Sequence, residues 1–477
     1  MREWARTLAW WAAAAVLSTV TASGKDPPIT IIRGGQVFDS VKGTMLSGRT
    51  IVIEGNRIKS IGPEKLMSVP RSARVVDAKG KYVIPGLIDA HVHLVHVLDF
   101  AHMTGDEILP LFLANGVTSV RDIGDEVVAE KLVARYADSH AELSPRVFLG
   151  SPLIDRDPPF HRDIGRAVTD PEKVSDFVED MEAWGIRTLK IYVGTERPVG
   201  RKVIEEGHRR GLVVAGHLGR YSAQDAVADG IDCLEHIWSV YDYIFPTDRL
   251  RMPDATAQQK MQPSELQNIR QKIQEQRANL DVSNPVAQEL IAALARRKVF
   301  VDPTLVVFRN QFLLIDQPEI FEHPDNAHVP ERLKKWWAEY RRQRTPRPET
   351  LDLRKRELKN YLTLTGMLYK AGVPLLAGTD SPEPFTPPGF ALHKELELFV
   401  EAGLPAAAAL QSATIQNARA VKMDGQLGSI EEGKLADMII LDANPLEDIR
   451  NTRAASKVIR DGLVLDPKSI LRAVPKQ

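Results

Sequence analysis

The chain has 477 residues, of which 43% are hydrophobic, 26% charged and 6% aromatic, with 62 basic side chains against 63 acidic ones. That is the composition of an ordinary globular protein, and a formal net charge of -1 supplies no global field to draw in nucleic acid. The single cysteine, Cys233, excludes an intrachain disulfide and a zinc-thiolate cluster, so any metal must rest on His, Asp, Glu or modified Lys.

Arg2 and Arg6 precede an apolar run from Leu8 to Val20, and Val20-Thr21-Ala22 offers small residues to a signal peptidase. Residues 1–22 therefore read as a secretory signal, since the run falls short of the roughly 20 apolar residues of a membrane span. The expected mature protein is secreted or periplasmic and keeps no stable membrane anchor. From Thr50 to Ile61, apolar and polar residues alternate on both sides of Gly55-Asn56, which predicts a β-hairpin. The same grammar returns near the other end, in Asp437 to Asp442 and in Ser456 to Leu465 around Asp461-Gly462.

Between these flanks, apolar β-branched runs alternate with helix-like stretches, the pattern of parallel βα units. The runs are Val83 to His93, Gly116 to Asp122, Arg146 to Ser151, Thr188 to Val193, Leu212 to His217, Cys233 to Ile237, Val299 to Leu305 and Val373 to Asp380. Eight such runs predict an α/β fold, a (β/α)8 TIM barrel over residues 82–415. That span exceeds the ~250 residues typical of the fold, and the surplus forms helical insertions near 240–298 and 309–360. One is Gln-rich from Met252 to Asn279, and the other is basic from Glu331 to Glu357. Each reads either as a solvated helix surface or as a cap over the pocket, the basic one then favouring an anionic substrate.

The candidate chemistry lies at the strand ends, where barrel active sites are built. His91 and His93 alternate in Ile88-Asp-Ala-His-Val-His93 and so project from one face of an extended chain. Lys190 interrupts the apolar run Thr188 to Val193, where a buried ammonium would be costly without a partner. A lysine of depressed pKa could instead react with CO2 to give an anionic carbamate. His217, His236 and Asp380 close the fifth, sixth and eighth runs. Four imidazoles with oxygen ligands suit two divalent ions, Zn2+ by preference, about 3.5 to 4 Å apart. Such a pair activates a bridging water and polarises a carbonyl, so hydrolysis is the expected reaction.

Pro85-Gly-Leu-Ile-Asp-Ala-His-Val-His93, Leu-Glu-His236, Ala-Gly-Thr-Asp380 and Gly425 to Asp437 together resemble the metal-dependent amidohydrolase superfamily. Within it, the chain is most similar to the imidazolonepropionase-like group with its Xaa-Pro dipeptidase relatives. The resemblance implies that residues 23–81 and 416–477 form a small β-sandwich domain from both chain ends. It further implies that His91 and His93 bind the more buried metal, His217 and His236 the more exposed one, and a carboxylated Lys190 bridges them. Asp380 would bind the buried metal and shuttle the proton. His161, in Pro158-Pro-Phe-His161, falls where relatives carry a substrate-facing histidine. Where they carry a tyrosine two residues after the fifth-strand histidine, this chain has Gly219, with Tyr221 nearest. His161 and Tyr221 are thus the substrate-binding candidates, while His96 and His102 are expected to flank the mouth.

The expected substrate is a small-molecule amide: an N-acyl or aminoacyl amino acid, a dipeptide or a cyclic amide. The competing readings are a mononuclear deaminase of the same superfamily and a non-catalytic binding protein on the same barrel. Self-association into a homo-oligomer is left open.

Overall fold

The computed structural model describes residues 28–475 except 64–69, 71, 246–249, 251, 253–257, 259, 315–316, 318 and 345–347. The segment read as a signal, residues 1–22, lies outside the described residues. Strand β1 (Ile29–Asp39) pairs antiparallel with β2 (Thr44–Glu54), which turns through Gly55 into β3 (Arg57–Pro63). The hairpin is the expected one: Ile51, Ile53 and Ile58 point inward, and Gly55 has φ +61 at the turn. On its other edge β1 carries β4 (Arg74–Asp77) and then β5 (Tyr82–Pro85), both parallel to it.

Gly86 is the hinge between two sheets. Its N–H donates to Asp437 O at 2.9 Å in the small sheet, while the next N–H, of Leu87, donates to Gly116 O at 3.0 Å in the barrel. A Cβ at Gly86 would lie 2.1 Å from Thr118 Oγ1, so only glycine fits this crossing. The run Val83 to His93, read as one strand, is therefore β5 followed by β6 (Leu87–Val92). Barrel strands β7 (Val117–Asp122), β8 (Arg146–Asp155), with β9 (Gly165–Ala167) beside it, β10 (Thr188–Ile191), β11 (Val213–Gly216), β12 (Cys233–Glu235) and β13 (Phe300–Asp302) follow. They pair in parallel in the order β6-β7-β8-β10-β11-β12-β13.

Residues 373–381 close the ring without forming a continuous ladder, through the bridges Val301↔Leu375 and Val92↔Ser381. Pro374 has no N–H to give. Side chains supply the missing cross-links: Asp89 accepts from Thr379 N at 3.0 Å and Oγ1 at 2.7 Å, and Asn417 Nδ2 donates to Ile88 O and Ala377 O.

Beyond the barrel, β14 (Met438–Leu441) returns antiparallel to β5 and continues into β15 (Ala455–Arg460) and β16 (Leu463–Leu465). Both chain ends thus build one sheet, which curls on itself where Arg57 bridges Leu435. Its apolar face, with Ile32, Ile51, Val83, Met438 and Ile459, encloses a core separate from the barrel's.

The two insertions differ in role. Helix Pro263–Ala278 packs on the outside of helix Leu351–Lys370, its Arg277 and Gln274 gripping Glu357. Helix Glu331–Arg344 instead crosses the mouth of the barrel. Buried Trp337 anchors it by donating to Pro382 O at 3.2 Å, and Trp336 stacks on Phe100 with centroids 3.8 Å apart. Among the described residues, no helix is long and apolar enough to cross a membrane.

Candidate metal centre

His91 and His93 leave β6 on its inner face, two residues apart as the pleat requires. Asp380 meets both: its Oδ1 lies 3.5 Å from His91 Nε2 and 3.2 Å from His93 Nε2. Two donors sharing one ion at bond lengths of about 2.0 to 2.1 Å in tetrahedral array stand roughly 3.3 Å apart, so this spacing fits a metal. Lys190 Nζ is 3.4 Å from His91 Nε2, and the rings of His91, His236 and His217 follow one another with centroids 4.7 and 4.4 Å apart. Strands β6, β10, β11 and β12 and the closing segment therefore bring all six expected ligand residues to one place. His236 and Asp380 are held at φ +62 and +59, a backbone region that L-residues adopt at a cost and that gathers at functional sites.

Outer partners fix which nitrogen each imidazole presents. Glu235 engages His91 Nδ1 at 2.9 Å and Arg121 Nη2 at 2.7 Å, and Arg121 Nε donates to Ala90 O. Thr304 Oγ1 engages His236 Nδ1 at 2.7 Å. Both rings are left with Nε2 for the centre. Burial lowers the pKa of His91 to about 4 and of His236 to about 3, and pushes His217 well below the usual histidine range. Three neutral imidazoles are what a divalent ion needs.

His93 behaves differently. Burial opposes its charge, but the carboxylates of Asp125, 3.8 Å from its Nδ1, and Asp380, 3.2 Å from its Nε2, outweigh burial and raise its pKa to about 10. An imidazole flanked by two carboxylates draws in a cation, whether a proton or a metal. Burial also works against ionised Asp380, yet the imidazoles of His236, His91 and His93 hold its carboxyl well below the carboxylate range. Lys190, 1% exposed, is lowered by burial, although Glu235 pulls the other way. Among the described residues, its Nζ makes a single hydrogen bond, to His91.

The centre opens into a cavity of about 610 Å³. His161 lines it, as expected, with Tyr192 5.8 Å away between the ring centroids. His96 also lines it, whereas His102 does not and offers only its carbonyl to Arg332. Tyr221 is a correction: its ring is buried against Gly200 and its hydroxyl donates to Asp229 at 2.8 Å, away from the cavity. The reason is Gly219, where a Cβ would stand 2.5 Å from Val193 O, so the chain dives beneath β10 and takes Tyr221 with it. Tyr192, at the end of β10, holds the place given to Tyr221. The sequence reading also passed over Glu235, Arg121, Asp125 and Thr304. Glu235 carried a signal, being a charge inside a buried apolar run like Lys190.

Comparison with known proteins fits this geometry. An adenine deaminase of Mesorhizobium japonicum is 34% identical over 131 residues, 25% of this chain and 22% of its own length. The chain thus spans less than a quarter of that relative. Among solved structures, a bottromycin amidohydrolase superposes with a TM-score of 0.70 at 21% identity, covering 95% of this chain and 92% of its own. A Xaa-Pro dipeptidase with bound methionine in the active site superposes at 0.64 and 22% identity, covering 92% and 100%. These likenesses establish the fold. The model of the amidohydrolase family matches residues 82–465, barrel and returning strands together, and the chain belongs to that family.

Proposed function

We propose that this protein is a binuclear metal-dependent hydrolase that cleaves a C–N amide bond of a small molecule. The observation that carries the reading is Lys190, buried among four histidines with its Nζ 3.4 Å from His91 Nε2 and lowered in pKa. A neutral amine there can take up CO2, and the resulting carbamate would be an anion between two cations rather than an unpaired buried charge. His91, His93 and Asp380 would hold one ion, and His217 and His236 the other. Zinc suits this nitrogen and oxygen donor set. Two such ions acidify a water and polarise a carbonyl.

The chain's own residues supply the rest. Asp380, ionised and facing the cavity, accepts a proton from water and hands it to the leaving amine. His161 and Tyr192 stand where they can orient the substrate, and Trp336 and Tyr340 of the crossing helix cover it. An N-acyl or aminoacyl amino acid, a dipeptide or a cyclic amide all present the required bond. A second reading, deamination, is favoured by the local identity to adenine deaminase. Zinc-loaded protein should hydrolyse members of an amide panel and release no ammonia from adenine. Ammonia from adenine with no amide turnover would reverse the assignment. An exported compartment belongs to the same proposal, supported by residues 1–22, and N-terminal sequencing of exported protein should begin after Ala22.

A further inference from the structure

The crossing helix Glu331–Arg344 carries six Lys or Arg residues against two Glu, yet none of the five whose side chains are described lines the cavity. Trp336, Glu339, Tyr340 and Gln343 line it, one face at i, i+3, i+4 and i+7 spacing. Four of the basic residues have other partners. Arg332 binds Glu107 and His102 O, Lys334 pairs with Glu331, and Arg341 lies over the Phe321 ring at 5.4 Å. Arg342 pairs with Glu339 along the helix, and Gln343 Nε2 donates to the same carboxylate at 2.6 Å. Asp99, beside Phe100 on the helix that packs against this one, also lines the cavity, and so does Glu383. Among the described lining residues, Lys190 is the one Lys or Arg, and it sits at the floor.

A rim of aromatic faces with the carboxylates of Asp99 and Glu383, beside Glu339 whose charge Arg342 partly offsets, attracts a cation, because the ring quadrupole and the negative charges act in the same sense. An anionic group placed there would meet like charge, with no guanidinium among the described lining residues to bind it. We infer that the mouth is a subsite for an ammonium or quaternary ammonium group, carried on the end of the substrate remote from the scissile amide. The substrate's identity as an amide rests on the hydrolase reading; the cation subsite does not. Arg341 and Arg342 are then no carboxylate receptor, since neither lines the cavity and each already has a partner.

The test compares choline with its neutral isostere 3,3-dimethylbutan-1-ol, titrated calorimetrically into zinc-loaded full-length protein. Choline should bind at least about tenfold more tightly. Glu339→Gln, on a half-exposed helix face, should cut that preference to about threefold or less, and Trp336→Leu should do the same by removing the ring. Melting curves verify that both variants are folded. Equal binding of the two alcohols, or a preference untouched by both substitutions, would overturn the subsite. Because the titration reads no turnover, a choline preference in a protein inert toward every amide would overturn the hydrolase reading alone. Amide turnover with no choline preference would overturn the subsite alone.

Discussion

Lys190→Ala is expected to lower bound metal from about two ions per chain to one or none, and to lower amide hydrolysis by about 10³-fold or more. Metal assistance is worth several kcal/mol in the transition state, and each 1.4 kcal/mol or so is a factor of ten. Lys190 Nζ lies 3.4 Å from His91 Nε2, and under the proposed carbamate bridge its loss would remove a ligand from both ions at once. Elemental analysis of protein purified with zinc and bicarbonate reads the first effect, and steady-state kinetics the second. Added propionate, small enough for the space vacated, should restore part of the activity by supplying the missing carboxylate. A variant that keeps two ions and most of its activity would end the carbamate reading. A wild type holding one ion, unchanged in the variant, would point to a mononuclear site.

Asp380→Asn should behave differently: metal content close to wild type, but kcat lower by about 10² to 10⁴, the range for loss of a general acid–base group. The substitution is well matched to the backbone. Asp380 sits at φ +59, and asparagine is among the few side chains that tolerate positive φ. The hydrogen bond from Asp380 N to His91 O, 2.8 Å, belongs to the main chain and survives. What disappears is an anion held ionised by its imidazole neighbours. Equal loss of metal and rate would make Asp380 a ligand without a proton-transfer role. A kcat within a few-fold of wild type would remove it from the mechanism.

The proposed ligand residues were legible in the sequence as a group at the barrel mouth, because each ends or interrupts a short apolar run and chain position then fixes its place. What escaped was whatever depends on neighbouring strands. Glu235 supports His91, and Arg121 supports Glu235, across two strand-to-strand contacts that spacing along one chain does not encode. Pro85-Gly86 is a breaker pair inside the run Val83 to His93, but that Gly86 crosses between two sheets shows only once Thr118 and Asp437 are placed against it. Tyr221 illustrates the same limit in a loop, where Gly219 passing beneath Val193 O decides the direction of the chain. The crossing helix was legible in principle: its charges suggested a basic surface, but the stripe of Trp336, Glu339, Tyr340 and Gln343 was present in the spacing.

The return of β14 to β5 has a consequence for the order of events at the ribosome. Barrel strand β6 emerges one residue after β5, and β5 gains its second neighbour only when Met438–Leu441 is made. Such distant pairing is slow to form, and an unpaired strand edge invites association with other chains. A chain cut short anywhere between Asp380 and Met438 therefore contains every proposed ligand, yet leaves an open β-edge one residue from the strand that carries His91 and His93. Completeness of the chain, rather than completeness of the ligand set, governs whether the centre is ever built on a stable frame.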